Sequence, residues 1–394
     1  MMKSMACTRT ARRALSTSNI IGTPWKTLGF DFTQTKSILK YNHKDGEWDD
    51  GVLTTDFTLN IHPLSNALHY GQALFEGLKA FHGSDGKVRV FNANKNAERL
   101  QNGAERLGMA TVSKQMFNEA LDKVIIDNVD YVPPYGSGGA MYIRPFLFGH
   151  GAKMGLGPAP EVRAHATRWH HLFFLLRRAS ASASASASAS LSRAQYAFCV
   201  VASPVGAYYK GGLQAIDAIV VEGFDRAAPR GVGNIKAAGN YAPDVTPSAA
   251  AKAAGYPICL YLDSKTTSYV EEFSTSNFIG ITHDGTVVTP TSDSILPSCT
   301  KGVVLQQARD MGLKVEERPV PFEEVATLKE VAACGTAVVL TPIQSITRGD
   351  TKHDFPDFST IAKLYDAVTT LQAGDAPDPH GYTRVVCERA HEAS

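Results

Sequence analysis

Between residues 21 and 160 the hydrophobic period of the chain switches repeatedly from helical to extended and back. Asn94–Leu107 places Ala97, Leu100, Ala104 and Leu107 at helical spacing, with Gly108 as a stop. Lys114–Val129 repeats the pattern with Phe117, Leu121, Val124 and Ile125. Lys87–Phe91 and Ala140–Phe148 alternate or run apolar, as strands do. Turn signals at Ser84-Asp85-Gly86 and Pro133-Pro134-Tyr135-Gly136 separate these elements. Short helices and strands joined by short turns can bury their apolar faces only against one another, so an α/β domain is predicted.

The composition then breaks. Residues 162–194 hold Arg168-Trp169-His170-His171, an apolar patch, and a strict Ala-Ser alternation from Ala179 to Ser190. Such a tract buries too little apolar surface to offset its chain entropy, and it reads as an inserted surface excursion. Tyr196–Ala202 resumes as a strand, and the glycines and proline of 203–213 suggest an interdomain linker. Beyond it come strands at Ala218–Val221, Ile258–Leu262, Phe278–Thr282 and Thr286–Thr289, and helices near Thr246–Ala254 and Gly302–Asp310. At 394 residues, two domains are expected, over 21–202 and 214–394. Residues 1–20 carry Lys3, Arg9, Arg12 and Arg13, six Ser/Thr and no acid, the composition of an organellar transit peptide of mitochondrial flavour. Plastid or cytoplasmic residence stays open at this point.

Lys+Arg 39 against Asp+Glu 38 leaves no basic field to attract nucleic acid or anionic membranes. The strongest apolar run, Leu172–Leu176, is too short to span a bilayer. Six scattered cysteines without a Cys-x-x-Cys pair predict reduced thiols, and neither they nor the histidines show metal-ligand spacing. Walker, dinucleotide-fingerprint, His-Glu-x-x-His and Gly-x-Ser-x-Gly motifs are absent.

Four segments concentrate chemistry. In Gly231-Val-Gly-Asn-Ile-Lys236-Ala-Ala-Gly-Asn-Tyr241 one lysine sits among small residues with a tyrosine five positions on. Enclosed, it would be a nucleophile or Schiff-base former; by spacing alone a surface loop lysine is the favoured reading. Glu271 and Glu272 run straight into an apolar strand, where a carboxylate needs a positive partner. Ser298 and Thr300 precede an apolar helix, which suits either phosphate binding or simple capping. Gly335-Thr336-Ala337 forms a tight turn with further N–H donors. Lysine, carboxylate, tyrosine and a hydroxyl-rich anion loop are together the parts of a pyridoxal phosphate site.

The chain resembles the branched-chain-amino-acid aminotransferases, fold-type IV pyridoxal-phosphate enzymes. The motifs that carry the resemblance are Tyr70-Gly-Gln-Ala-Leu-Phe-Glu-Gly-Leu-Lys-Ala-Phe, Tyr142-Ile-Arg-Pro, Gly233-Asn-Ile-Lys-Ala-Ala-Gly-Asn-Tyr, Glu272-Phe-Ser-Thr-Ser-Asn, Leu296-Pro-Ser-Cys-Thr and Gly335-Thr-Ala. They follow the family's order over roughly residues 24–348. The resemblance implies a two-domain α/β fold whose larger C-terminal part holds a barrel-like sheet. It implies reversible transfer of the amino group of leucine, isoleucine or valine to 2-oxoglutarate, in a homodimer.

Carried over by position, Lys236 would be the Schiff-base lysine and the base of a 1,3-proton shift. Glu272 would meet the pyridine nitrogen, and Tyr241 the cofactor's phenolate. Arg99, Thr300 and Thr336 would hold the phosphate, Arg99 through its planar fork, although alone it would pass for a helix-surface residue. Thr336 and Ala337 N–H groups would take the substrate carboxylate, and Arg144 the side-chain carboxylate of glutamate. Tyr70, Phe75 and Tyr142 would wall the pocket. D-amino-acid transamination, the lyase that makes 4-aminobenzoate (aminodeoxychorismate lyase), and a non-catalytic binding relative are the alternatives. Ala337-Val-Val-Leu-Thr341 lacks the redox cysteine pair of some animal members, and Ser298-Cys299 replaces a commoner Gly-Val.

Overall fold

Strand residues that alternate in the sequence alternate in burial: Leu78, Ala80 and His82 are buried, and Lys79 and Phe81 less so. The structure, a computed structural model, describes residue 25 and residues 28–155, 195–206 and 213–389. The basic segment 1–20 and the insert 162–194 lie outside the described residues.

Two sheets organise the fold. In the first, strands run in the order Thr383–Glu388, Lys87–Phe91, Leu78–His82, Ala140–Gly149, Tyr196–Val205, Ile38–Lys44 and Glu47–Trp48. Helices Ala93–Arg106 and Lys114–Asp127 cover it, burying Leu100, Ala104, Phe117, Leu121 and Val124 in a common core. In the second, six strands close on themselves: Asn277–Thr282, Leu328–Gly335, Val339–Arg348, Ile216–Val220, Ile258–Leu262 and Tyr269–Phe273, which pairs back to the first. The barrel-like sheet expected from the family resemblance is thus present. Leu260, Phe273, Phe278, Val331 and Ile343 share one of its cores. Helices Cys299–Asp310 and Ser359–Ala373 pack over a second, with Val303, Val304, Ile361 and Leu364.

Three boundaries differ from the sequence expectation. Ser203, Pro204 and Val205, assigned to the linker, continue strand Tyr196–Val205 and pair with Tyr142, Met141 and Ala140. The proline falls inside a long antiparallel pairing that carries the strand past it. The helix expected from Gly302 begins at Cys299, because the Ser298 hydroxyl accepts the Lys301 N–H at 3.0 Å and caps it there. Finally, Thr383–Glu388 leaves the second half of the sequence and pairs with Lys87–Phe91 in the first sheet. Sheet membership therefore does not follow a simple division at residue 213.

Candidate active site

The site forms where the two sheets meet, and backbone bonds set it. Phe75 N–H donates to the Lys236 carbonyl at 3.2 Å, and Leu74 bridges to Ala237. Asn240 Nδ2 donates to the Val232 and Ile235 carbonyls at 2.8 and 3.0 Å, closing the loop that carries Lys236. A side chain at Gly233 would put its Cβ 2.3 Å from the Ser294 carbonyl, so only glycine lets these loops approach. Held this way, Lys236 Nζ donates to the Tyr241 hydroxyl at 3.0 Å and lies 4.8 Å from the Phe75 ring centre. Phe75 and Tyr241 pack edge to face at 4.9 Å.

Glu272 is buried at the start of the hairpin to Asn277–Thr282. Its carboxylate accepts from Asn277 Nδ2 at 2.9 Å and from Leu296 N–H at 3.1 Å. Arg226 Nη2 lies 2.7 Å away, and this guanidinium also reaches the Ser294 carbonyl. Glu272, Arg226, Asn277 and Leu296 line a cleft with Gly233 and Tyr241. The neighbouring Glu271 is buried as well, satisfied by the hydroxyls of Ser292 and Ser294.

Burial pushes the Glu272 carboxyl up to about 7 from its ordinary 4.5, with Arg226 pulling the other way. Between those values the folded protein keeps a proton that the unfolded chain has released, so stability falls as pH rises through this window. Urea-unfolding midpoints of cofactor-free protein are expected to decline from pH 4.5 to 7 and to decline less in Glu272→Gln. An equal slope in both proteins would assign the decline to other groups.

Arg99 departs from the expectation that its fork is free for phosphate. Nε and Nη2 meet both oxygens of Glu76, at 2.8 and 2.6 Å, and Nη1 donates to the Pro297 carbonyl at 2.8 Å. Burial opposes the charge, yet the Glu76 carboxylate raises Arg99 further above its ordinary range. The fork is occupied because a buried guanidinium on helix Ala93–Arg106 needs an anion, and Glu76 stands opposite it. Arg99 nonetheless lies against the Leu296–Ser298 segment that leads into Thr300. The Thr300 and Thr336 hydroxyls are 3.4 Å apart and line one narrow cleft with Lys79, Asn92 and Asn96.

Arg144 stacks on both expected wall residues, 4.8 Å from the Phe75 ring centre and 5.2 Å from that of Tyr142, and donates to the Tyr142 hydroxyl at 2.8 Å. Tyr142 in turn requires Gly77, whose Cβ would stand 2.3 Å from its hydroxyl. Tyr70 is set apart: it ends helix Asn66–Tyr70, 43% exposed, with its hydroxyl on the Met154 carbonyl. Glu76, Lys79, Arg226 and Asn240 were not singled out from the sequence. Glu76 and Lys79 lie within the Tyr70–Phe81 motif, and Asn240 within the lysine motif, so the signal was present without a role.

The donor set suits pyridoxal phosphate. The Thr300 and Thr336 hydroxyls, with Arg99 against the adjoining Pro297, suit an anion, a buried carboxylate suits a protonated ring nitrogen, and an amine stands beside a phenol. The side chains of Arg144 and Arg226 also each keep a buried Nε with no partner among the described residues. No cluster of three or more His, Cys, Asp or Glu able to hold a metal occurs among the described residues. Nor is any helix among them long and apolar enough to cross a membrane.

Residues 73–346 match the family model described as amino-transferase class IV. The chain belongs to that family. It is 39% identical over 368 residues to the branched-chain-amino-acid aminotransferase of Haemophilus influenzae, covering 91% of this chain and 97% of the relative. It is 38% identical over 344 residues to branched-chain-amino-acid aminotransferase 5, chloroplastic, of Arabidopsis thaliana, covering 86% and 74%. The crystal structure of the Escherichia coli branched-chain amino acid aminotransferase superposes with a TM-score of 0.69 at 25% identity, over 89% of this chain and 99% of that one. The Thermobaculum terrenum branched-chain amino acid aminotransferase in its PLP-form has the same fold, with a TM-score of 0.67 at 21% identity over 90% and 99%.

Proposed function

We propose that this protein is a pyridoxal-phosphate-dependent branched-chain-amino-acid aminotransferase, moving the amino group of leucine, isoleucine or valine reversibly to 2-oxoglutarate. The observation that carries the reading is Lys236 Nζ held 3.0 Å from the Tyr241 hydroxyl, against Phe75, with Arg144 stacked on the same ring. Bound pyridoxal phosphate would supply a carbonyl for the amine and a ring that withdraws electrons from the substrate's α-carbon.

The rest is the work of this chain. Lys236 Nζ would hold the cofactor, and its amine would carry the proton on and off the substrate's α-carbon. Glu272 keeps a proton on the ring nitrogen, and Arg226 keeps Glu272 in place. Arg99 offers the donor capacity that Glu76 leaves free, and Thr300 and Thr336 add hydroxyls for phosphate. N–H groups of Thr336 and Ala337 take the substrate carboxylate. Phe75 and Tyr142 bury an aliphatic side chain, worth roughly 1.5–3 kcal/mol, while Arg144 at the same wall answers the second carboxylate of glutamate. One pocket thereby serves both half-reactions.

A homodimer completes this reading. Leu68, Tyr70 and Met154 expose apolar surface at 63%, 43% and 81%, and such surface favours a partner. The basic, acid-free composition of residues 1–20 supports mitochondrial import, against which the chloroplastic name of the Arabidopsis relative must be weighed.

Purified protein should take up pyridoxal phosphate, turn yellow, and retain the cofactor covalently after borohydride. Supplied with L-leucine and 2-oxoglutarate, it should release 4-methyl-2-oxopentanoate and glutamate. Product from D-alanine instead would favour a D-amino-acid transaminase. A colourless protein that takes up no cofactor would leave only a binding relative.

A further inference from the structure

Lys79 reaches into the site, and no step above uses it. It rises from strand Leu78–His82 of the first sheet and crosses to the second, where Nζ donates to the Ala337 carbonyl at 2.6 Å. Among the described residues no carboxylate pairs with it, and burial lowers its amine to about 8. A desolvated amine needs a partner, and among the described residues the Ala337 carbonyl is the one Lys79 has.

The carbonyl it grips belongs to a constrained turn. Gly335 pairs with Val339 across the turn, and Leu340 N–H donates to the Val338 carbonyl at 3.1 Å, a three-residue closure. Val339 sits at φ 73, a left-handed conformation that β-branched residues rarely adopt, and is buried there. Ahead of it, the Thr336 hydroxyl lies against that of Thr300. Both ends of the turn are therefore fixed, and Ala337 is its middle residue. Because each peptide unit is planar, gripping the Ala337 carbonyl fixes one plane outright and leaves the adjoining Thr336–Ala337 plane little freedom. That adjoining plane carries the Ala337 N–H. Lys79 is also the cross-strand partner of Tyr142, so the grip and the Tyr142–Arg144 wall share one face of the first sheet.

We infer that Lys79 is a positioning residue, which clamps the Ala337 carbonyl across the two sheets so that the Gly335–Val339 turn presents its N–H groups to the substrate carboxylate. The inference rests on the transaminase reading of the site, and its test separates the two. In the cofactor-loaded enzyme, calorimetric titration with 4-methylvalerate measures carboxylate binding without turnover. Lys79→Met is expected to weaken that binding about tenfold, the effect of losing a charged hydrogen bond, with a smaller loss of cofactor affinity, since Arg99 and Thr300 lie outside the turn. Lys79→Gln, whose amide can donate to the same carbonyl, is expected to bind within about threefold of the wild type. Unchanged binding in Lys79→Met overturns the inference. So does binding in Lys79→Gln as weak as in Lys79→Met, which would assign the effect to charge alone. Joint loss of cofactor and carboxylate in both variants overturns it too, since that pattern reports a lysine needed only for structure. A wild-type protein that takes up no cofactor is a separate result, and it fails the reading of the site itself.

Discussion

Lys236→Ala should remove the borohydride-stable cofactor and lower turnover by about 10⁴-fold or more, because one amine serves as both attachment point and base. Few other side chains could substitute. Lys236 lies beside Tyr241 and Phe75, and Tyr241 offers a hydroxyl with no amine to attack a carbonyl. Pyridoxal phosphate should still bind, through the arginine, hydroxyl and carboxylate contacts, but exchangeably. The check is dialysis after borohydride with the absorbance followed, alongside formation of 4-methyl-2-oxopentanoate from leucine. Covalent retention in Lys236→Ala would place the attachment on another lysine, and activity within tenfold of the wild type would remove Lys236 from the chemistry altogether.

The second large effect concerns a residue that touches no substrate in this account. Glu76 is fully buried and binds Arg99 through both oxygens, with Asn96 Nδ2 a further donor at 2.8 Å. Glu76→Leu would leave the Arg99 guanidinium, itself only 10% exposed, without its anion. Breaking one side of a buried pair costs about 3–5 kcal/mol, whereas replacing both sides by apolar groups is often close to neutral. Urea unfolding of cofactor-free protein should therefore show Glu76→Leu strongly destabilised, and Glu76→Leu/Arg99→Met less destabilised than the single variant. Strictly additive effects would mean that the two side chains are not coupled. Pyridoxal phosphate affinity should fall in both variants: in Glu76→Leu the released arginine no longer holds its place beside Pro297, and in the double variant the arginine is gone.

Much of this site was legible in the chain. Lys236 and Tyr241 are five residues apart in a loop of small residues, so their contact is nearly local. Tyr142 and Arg144 alternate onto one face of a strand, as period two requires. Glu272 announced itself as a carboxylate at the mouth of an apolar strand, which only a partner could justify. The partner itself was not legible. Arg226 lies on a loop whose sequence is unremarkable, and the ion pair exists only because the Arg226 and Leu296 segments converge on Glu272.

Arg99 shows the limit from the other side. Its place against the Leu296–Ser298 segment agrees with a phosphate role, yet its fork is taken by Glu76, a residue of the Tyr70–Phe81 motif for which the sequence suggests no role. The linker boundary moved for a related reason. Proline and glycines at 204–212 look like a break, but the register with Ala140–Gly149 carries the strand through Val205.

By itself, then, the sequence determined the periods of the elements, the kinds of reactive group and the order in which they occur, because these depend on neighbours within a few residues. Only the tertiary structure decided which charges face which. Lys79 and Ala337 are 258 positions apart, Phe75 of the first sheet meets Lys236 of a distant loop, and nothing local specifies such contacts. They arise where a loop and a turn of the barrel half pack against the first sheet, and there the cost of desolvating each ion dictates its partner.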